Sequence, residues 1–136
     1  MISTDNKLFD EVDIPESSRI VSENNGNGTV ERESSWTGQI SGLDSFPSGT
    51  AKGHGNSIIF KNGISISNWQ GIFTTDKGQK ISFVGKDASK NGKFYVLRTW
   101  FTDDRGLEWI NGLVCLLDGR HELQSNSFVC SGYKLM

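Results

Sequence analysis

Two arginines fall at positions that would turn inward if their segments form strands. In 29–40 the even positions hold Val30, Arg32, Ser34, Trp36, Gly38 and Ile40, while the odd ones are all polar. Side chains alternate between the faces of a strand, so the even face is the buried one and Arg32 goes with it. In 93–101, Arg98 shares a face with Phe94, Val96 and Trp100. A guanidinium among apolar groups is costly unless it is paired or wet. Two chemistries fit. One is an anion clamp that grips a ligand carboxylate with both arms of the fork. The other is a structural ion pair with an inward Asp or Glu, or a head group reaching the solvent at the end of the fold.

Four tryptophans stand near these positions: Trp36, Trp69, Trp100 and Trp109. They would serve as walls of an apolar pocket or as plain core. Asn68 and Asn111 adjoin Trp69 and Trp109, where an amide either orients a ligand or satisfies backbone. The candidate ligand-binding set is therefore Arg32, Trp36, Trp69, Arg98, Trp100, Trp109 and Asn111.

No catalytic residue can be assigned. The sequence has no Gly-x-Ser-x-Gly, no phosphate-binding glycine loop with Lys-Ser/Thr, and no His-Glu-x-x-His. Gly53-His54-Gly55 reads as a flexible turn or strand start, and Asp103-Asp104-Arg105-Gly106 as a solvated hairpin turn. An enzyme would need Glu108 or His54 to point inward, and Glu108 lies on the opposite face from Trp109. Cys115 and Cys130 read as small buried apolar residues, with a disulfide left open. Neither they nor His54 and His121 have metal-ligand spacing, so no metal and no cofactor is expected.

The elements that position these groups are strands. Asn62-Gly63, Asn91-Gly92 and Asp118-Gly119 each separate apolar stretches and tolerate the positive φ of a tight hairpin. Strands are predicted over 19–23, 29–40, 52–60, 64–73, 80–86, 93–101, 107–117 and 127–135, with a loop at 41–49. No window has helical spacing. About eight antiparallel strands with short connections predict an all-β fold, a mostly up-and-down barrel, with a β-sandwich as the alternative. Residues 17–136 would form that one domain and 1–16 a partly ordered arm. The phase change between Ile64, Ile66 and Trp69, Phe73 predicts a bulge near Ser67-Asn68. Trp36-x-Gly38, Trp69-x-Gly71 and Phe83-x-Gly85 suggest glycines relieving crowding beside large rings.

The chain has 136 residues, sixteen glycines, two prolines and a net charge of −2, which suits one turn-rich domain. An acidic balance disfavours nucleic acid as a partner. No segment reaches the ~18 apolar residues of a membrane helix, and the first residues lack the pattern of a signal peptide. A cytoplasmic location is expected. Tyr95, Leu97 and Phe101 would face outward, which makes a homodimer plausible.

The segment Trp100-Phe101-Thr102-Asp103-Asp104-Arg105-Gly106-Leu107-Glu108-Trp109-Ile110-Asn111 and the closing Ser131-Gly132-Tyr133-Lys134-Leu135 resemble the C-terminal part of uncharacterised calycin-like small barrels. The barrels similar to allene oxide cyclase belong to the same broad group. The likeness covers about a quarter of the chain. It implies an eight-stranded barrel with an apolar cavity, and no catalytic residue carries over. The leading expectation is thus a barrel that binds a small, partly apolar molecule, one bearing a carboxylate if Arg32 and Arg98 are free. A cyclase- or isomerase-type enzyme and a fully packed interaction module are the alternatives.

Overall fold

The structure, a computed structural model, describes residues 4–24 and 26–136. Eight strands follow in order: β1 (Lys7–Asn24), β2 (Thr29–Gly42), β3 (Gly49–Ile59), β4 (Ser65–Thr75), β5 (Lys80–Lys90), β6 (Lys93–Phe101), β7 (Val114–Glu122) and β8 (Ser127–Lys134). Each pairs antiparallel with the next, and β8 pairs with β1, so the sheet closes into an up-and-down barrel. Closure removes the unpaired edges that an open sheet would expose. The sandwich alternative does not apply.

The β5–β6 hairpin is the turn expected from sequence. Asn91 and Gly92 have φ of 53° and 79°, the left-handed pair that matches strand twist. Asp118-Gly119 is different: it lies inside β7. A Cβ on Gly119 would come within 2.4 Å of Phe94 and 2.6 Å of Cys130, so this glycine admits neighbouring side chains and makes no turn.

Several other expectations need correction. β1 begins at Lys7 and pairs with both β2 and β8, so residues 7–16 are barrel wall, not an arm; Met1–Ser3 lie outside the described residues. The wall bends through register shifts in β1 at Pro15/Ser17 and Ile20/Ser22. β4 pairs without a shift on both sides. Its inward residues are therefore Ser67, Trp69 and Phe73 in one phase, and Ile66 faces out, half exposed. The predicted strand 107–117 splits into a 3-10 segment, Arg105–Ile110, and β7. Asp104 accepts a hydrogen bond from Gly106 N–H and caps that segment, so it is a cap and not a hairpin turn.

The two ends of the barrel differ. The loop after β2 sends Phe46 inside, where it stacks on Phe9 with ring centroids 4.8 Å apart and lies parallel to Phe73 at 6.3 Å. Leu107, Ile110 and Leu113 from the β6–β7 connection bury beside it. Phe9, Phe73, Ile81 and Trp100 complete this floor, all fully buried. Among the described residues no helix is long and apolar enough to cross a membrane.

Candidate functional site

Above that floor, toward the hairpin end, the interior holds a cavity of about 340 Å³. Trp36, Trp69, Phe94, Val96, Leu117 and Phe128 give it apolar walls. Serines from β1 to β5 line its upper part, and several bond one another across strands: Ser17 to Ser35 at 2.6 Å, Ser57 to Ser67 at 2.7 Å, Ser65 to Ser89 at 2.5 Å. The size suits one small ligand, as does an eight-stranded barrel. A second concavity, about 540 Å³, runs over the barrel wall where Asn68, Gln70, Val84, Lys86 and Leu97 project. It contains no buried charge, so the interior cavity is the better candidate.

Arg98 lines this cavity and is buried. Its Nη1 and Nη2 donate to Glu11 Oε1 and Oε2 at 2.6 and 3.1 Å. The guanidinium also stacks against Phe83, Trp100 and Trp36 at 4.6, 5.2 and 5.8 Å. Burial opposes the charge on Glu11, but attraction and hydrogen bonds from Arg98 outweigh it and hold the carboxyl below its usual range. The ion-pair reading of Arg98 is the one realised here.

Asp13 is the next inward residue on β1 and touches this pair. Burial, then the adjacent Glu11 carboxylate, push its carboxyl well above the ordinary range, with Arg98 opposing weakly. Asp13 Oδ1 is shielded from solvent and has no protein partner. It occupies the space of a missing side chain, since a Cβ on Gly38 would lie 2.2 Å from it. Asp87, on β5, also lines the cavity and also has a buried Oδ1 without a partner. Burial raises its carboxyl, while hydrogen bonds from Ser67 and the Trp69 side chain act the other way.

Of the residues singled out from sequence, Trp36, Trp69 and Arg98 meet at the cavity. Trp100 lies lower, in the floor, with its indole N–H directed at Cys115 Sγ, 3.3 Å away. Arg32 has the inward phase but sits high on β2, where its Nε donates to Ser18 Oγ at 3.0 Å. Trp109 and Asn111 belong to the opposite end. Trp109 covers Phe46 edge-on at 6.0 Å and is 42% exposed; Asn111 accepts from Thr102 N–H at 3.1 Å. His54 lies on the outer face of β3 against Gln70, and Glu108 is exposed, so neither points inward.

Glu11, Asp13 and Asp87 escaped the sequence reading. The first two fell in the stretch taken for an arm, and Asp87 one residue past the predicted end of its strand. A signal existed: Ile81, Phe83, Gly85, Asp87 and Ser89 keep one phase. His121, a further cavity residue, stacks on Phe128 at 4.5 Å. Cys115 and Cys130 are free, and burial raises both thiols. Glu11, Asp13 and Cys130 bring ligand-type atoms within 4.8 Å of one another. Both Glu11 oxygens already accept from Arg98, so a cation would compete with a guanidinium held in place.

The fold and site define an eight-stranded antiparallel barrel plugged at one end and hollow toward the other. Solved structures with this fold include a β-barrel-like protein from Acinetobacter baumannii (17% identity, 96% of this chain and 94% of that one, TM-score 0.80). A conserved protein of unknown function from Rhodopseudomonas palustris is also similar (16% identity, 96% of both chains, TM-score 0.75). A third is an enzyme from Penicillium herquei (17% identity, 95% and 92%, TM-score 0.73). No family model and no curated protein matches the chain.

Proposed function

We propose that the protein binds one small, partly apolar, uncharged molecule inside the barrel. The observation that carries this is the cavity of about 340 Å³, with aromatic walls and two carboxyls that each keep one buried oxygen without a protein partner. Buried polar atoms are normally satisfied, so an unpartnered oxygen on each of two cavity-lining carboxyls suits a neutral ligand with a polar group that exchanges hydrogen bonds with them. A carboxylate-bearing ligand suits it less. Arg98 commits its fork to Glu11, and Asp13 and Asp87 would face such a ligand with like character. A calycin-like barrel in the cytoplasm is part of this reading. That a structural neighbour is an enzyme makes chemistry in such a cavity a compatible second reading.

Native mass spectrometry of protein purified gently from its own host tests the binding. A retained small molecule, lost on denaturation and absent from a Trp36→Ala, Trp69→Ala variant, is the expected result. An unladen barrel that also fails to quench its tryptophan fluorescence with neutral aromatic ketones would remove it.

A further inference from the structure

Asp13 and Asp87 stand on opposite walls of the cavity. β1 and β5 are four strands apart in either direction around the closed barrel. Pairing leads from Asp13 through Gly38, Ala51 and Phe73 to Ile81 on β5. The other way it leads through Phe128 and His121 to Gly92, just past the end of β5. Strands tilt in a closed barrel, so the position level with Asp13 falls between these two routes. Asp87 lies there.

We propose that the cavity is a proton-transfer site for a small ketone, with Asp87 as the base and Asp13 as the acid. This rests on the binding reading above. Asp87 takes a proton from the carbon next to the carbonyl. The C–H electron pair forms the new C=C bond, and the carbonyl π pair moves onto oxygen, which receives the proton of Asp13. The product is an enol, and the reverse transfers return a proton to that carbon or to a conjugated one. Charge and electrons balance without a co-reactant, and the net change is an isomerisation.

The surroundings divide the roles. Asp13 touches Glu11, already an anion against Arg98, so a second negative charge there is disfavoured and its carboxyl keeps its proton. Burial raises the Asp87 carboxyl too, but less than that of Asp13, and the Ser67 and Trp69 donors beside it oppose the shift, so Asp87 is the one of the two that ionises first. Two carboxyls in unlike environments take unlike roles. The other charged or titratable groups near the cavity are Arg98, paired with Glu11; Cys130, whose Sγ lies within 4.8 Å of an Asp13 carboxyl oxygen; and His121, which bonds Asn126 at 2.9 Å.

The experiment uses 2-tetralone in D₂O, with loss of the α-proton signals followed by NMR and binding followed by tryptophan quenching. The expected result is exchange about 100-fold or more above that in equimolar acetate. Asp87→Asn should abolish the excess while binding persists. Asp13→Asn should slow exchange and remove the fall in rate at high pH, and His54→Asn, on the outer face of β3, should leave it intact. Should Asp87→Asn fail to fold, the wild-type rate must still fall as acid protonates the base. Binding without exchange, or exchange indifferent to Asp87→Asn and to acid, overturns the proton-transfer proposal and leaves binding standing. No quenching by the ketone overturns both.

Discussion

At the scale of residues, the buried Arg98–Glu11 pair holds the interior together and constrains its neighbour. Removing one partner strands the other charge in a dry core. Arg98→Met should therefore cost about 3–5 kcal/mol, and adding Glu11→Gln should recover much of it. Urea unfolding of the single and double variants checks this; a single variant as stable as the wild type would show that the pair is solvated. The two carboxyls have opposite pH signatures. Glu11 is depressed, so its contribution is present at neutral pH and is lost as pH falls through its folded value, below 4.5. Asp13 is raised, so the folded state holds its proton more tightly than the unfolded chain, and stability declines as pH rises above about 4. Asp13→Asn should accordingly gain more stability over the wild type at pH 7 than at pH 4. Equal differences at the two pH values would mean that Asp13 is ionised in the folded protein.

Among the elements, large rings lie over glycines on the adjacent strand. Cβ atoms on Gly53 and Gly132 would come within 2.3 Å of Trp36 and 2.2 Å of Phe9. The aromatic-x-glycine echo in the sequence hinted at crowding. However, the ring relieved is mostly across the sheet: Phe83 reaches Gly71, and Trp69 reaches Gly55. Gly132→Ala should destabilise by about 1–3 kcal/mol through displacement of Phe9. A denaturant midpoint unchanged from the wild type would show that the floor can shift at no cost. The bulge predicted in β4 is absent because Ile66 simply faces solvent, as scattered apolar side chains often do. Curvature comes from β1 instead, where Pro15 cannot donate to a ladder and the register slips beside it.

For the molecule as a whole, the asymmetry between the ends decides where function can lie. Phe46 is a loop residue that does the work of core, and Phe46→Ala should cost about 3–5 kcal/mol. It should also expose Trp100 to acrylamide quenching, whereas ligand quenching at Trp36 and Trp69 should persist, since the cavity lies above the floor. Loss of ligand binding alone would show that the two ends are coupled. The outer face of β6 carries Tyr95, Leu97 and Phe101, each about half exposed. The homodimer reading places the partner there. Sedimentation should then give a dimer that Leu97→Glu dissociates, and a wild-type monomer would remove that reading.

The strand count, the hairpin at Asn91-Gly92 and the inward phase of Trp36, Arg98 and Trp100 were legible in the sequence, because alternation and turn chemistry are local properties of the chain. Closure was expected from the strand number, but the pairing of β8 with β1 joins segments more than a hundred residues apart. The partner of Arg98 is of this kind. Glu11 is adjacent only because the barrel closes, and no spacing along the chain announces it. The facing of Asp13 and Asp87 has the same origin, for it depends on register and strand tilt summed around half the barrel. Local patterns thus determined which side chains turn inward. Only long-range pairing decided which of them meet, leaving one arginine neutralised and two carboxyls across a shared cavity.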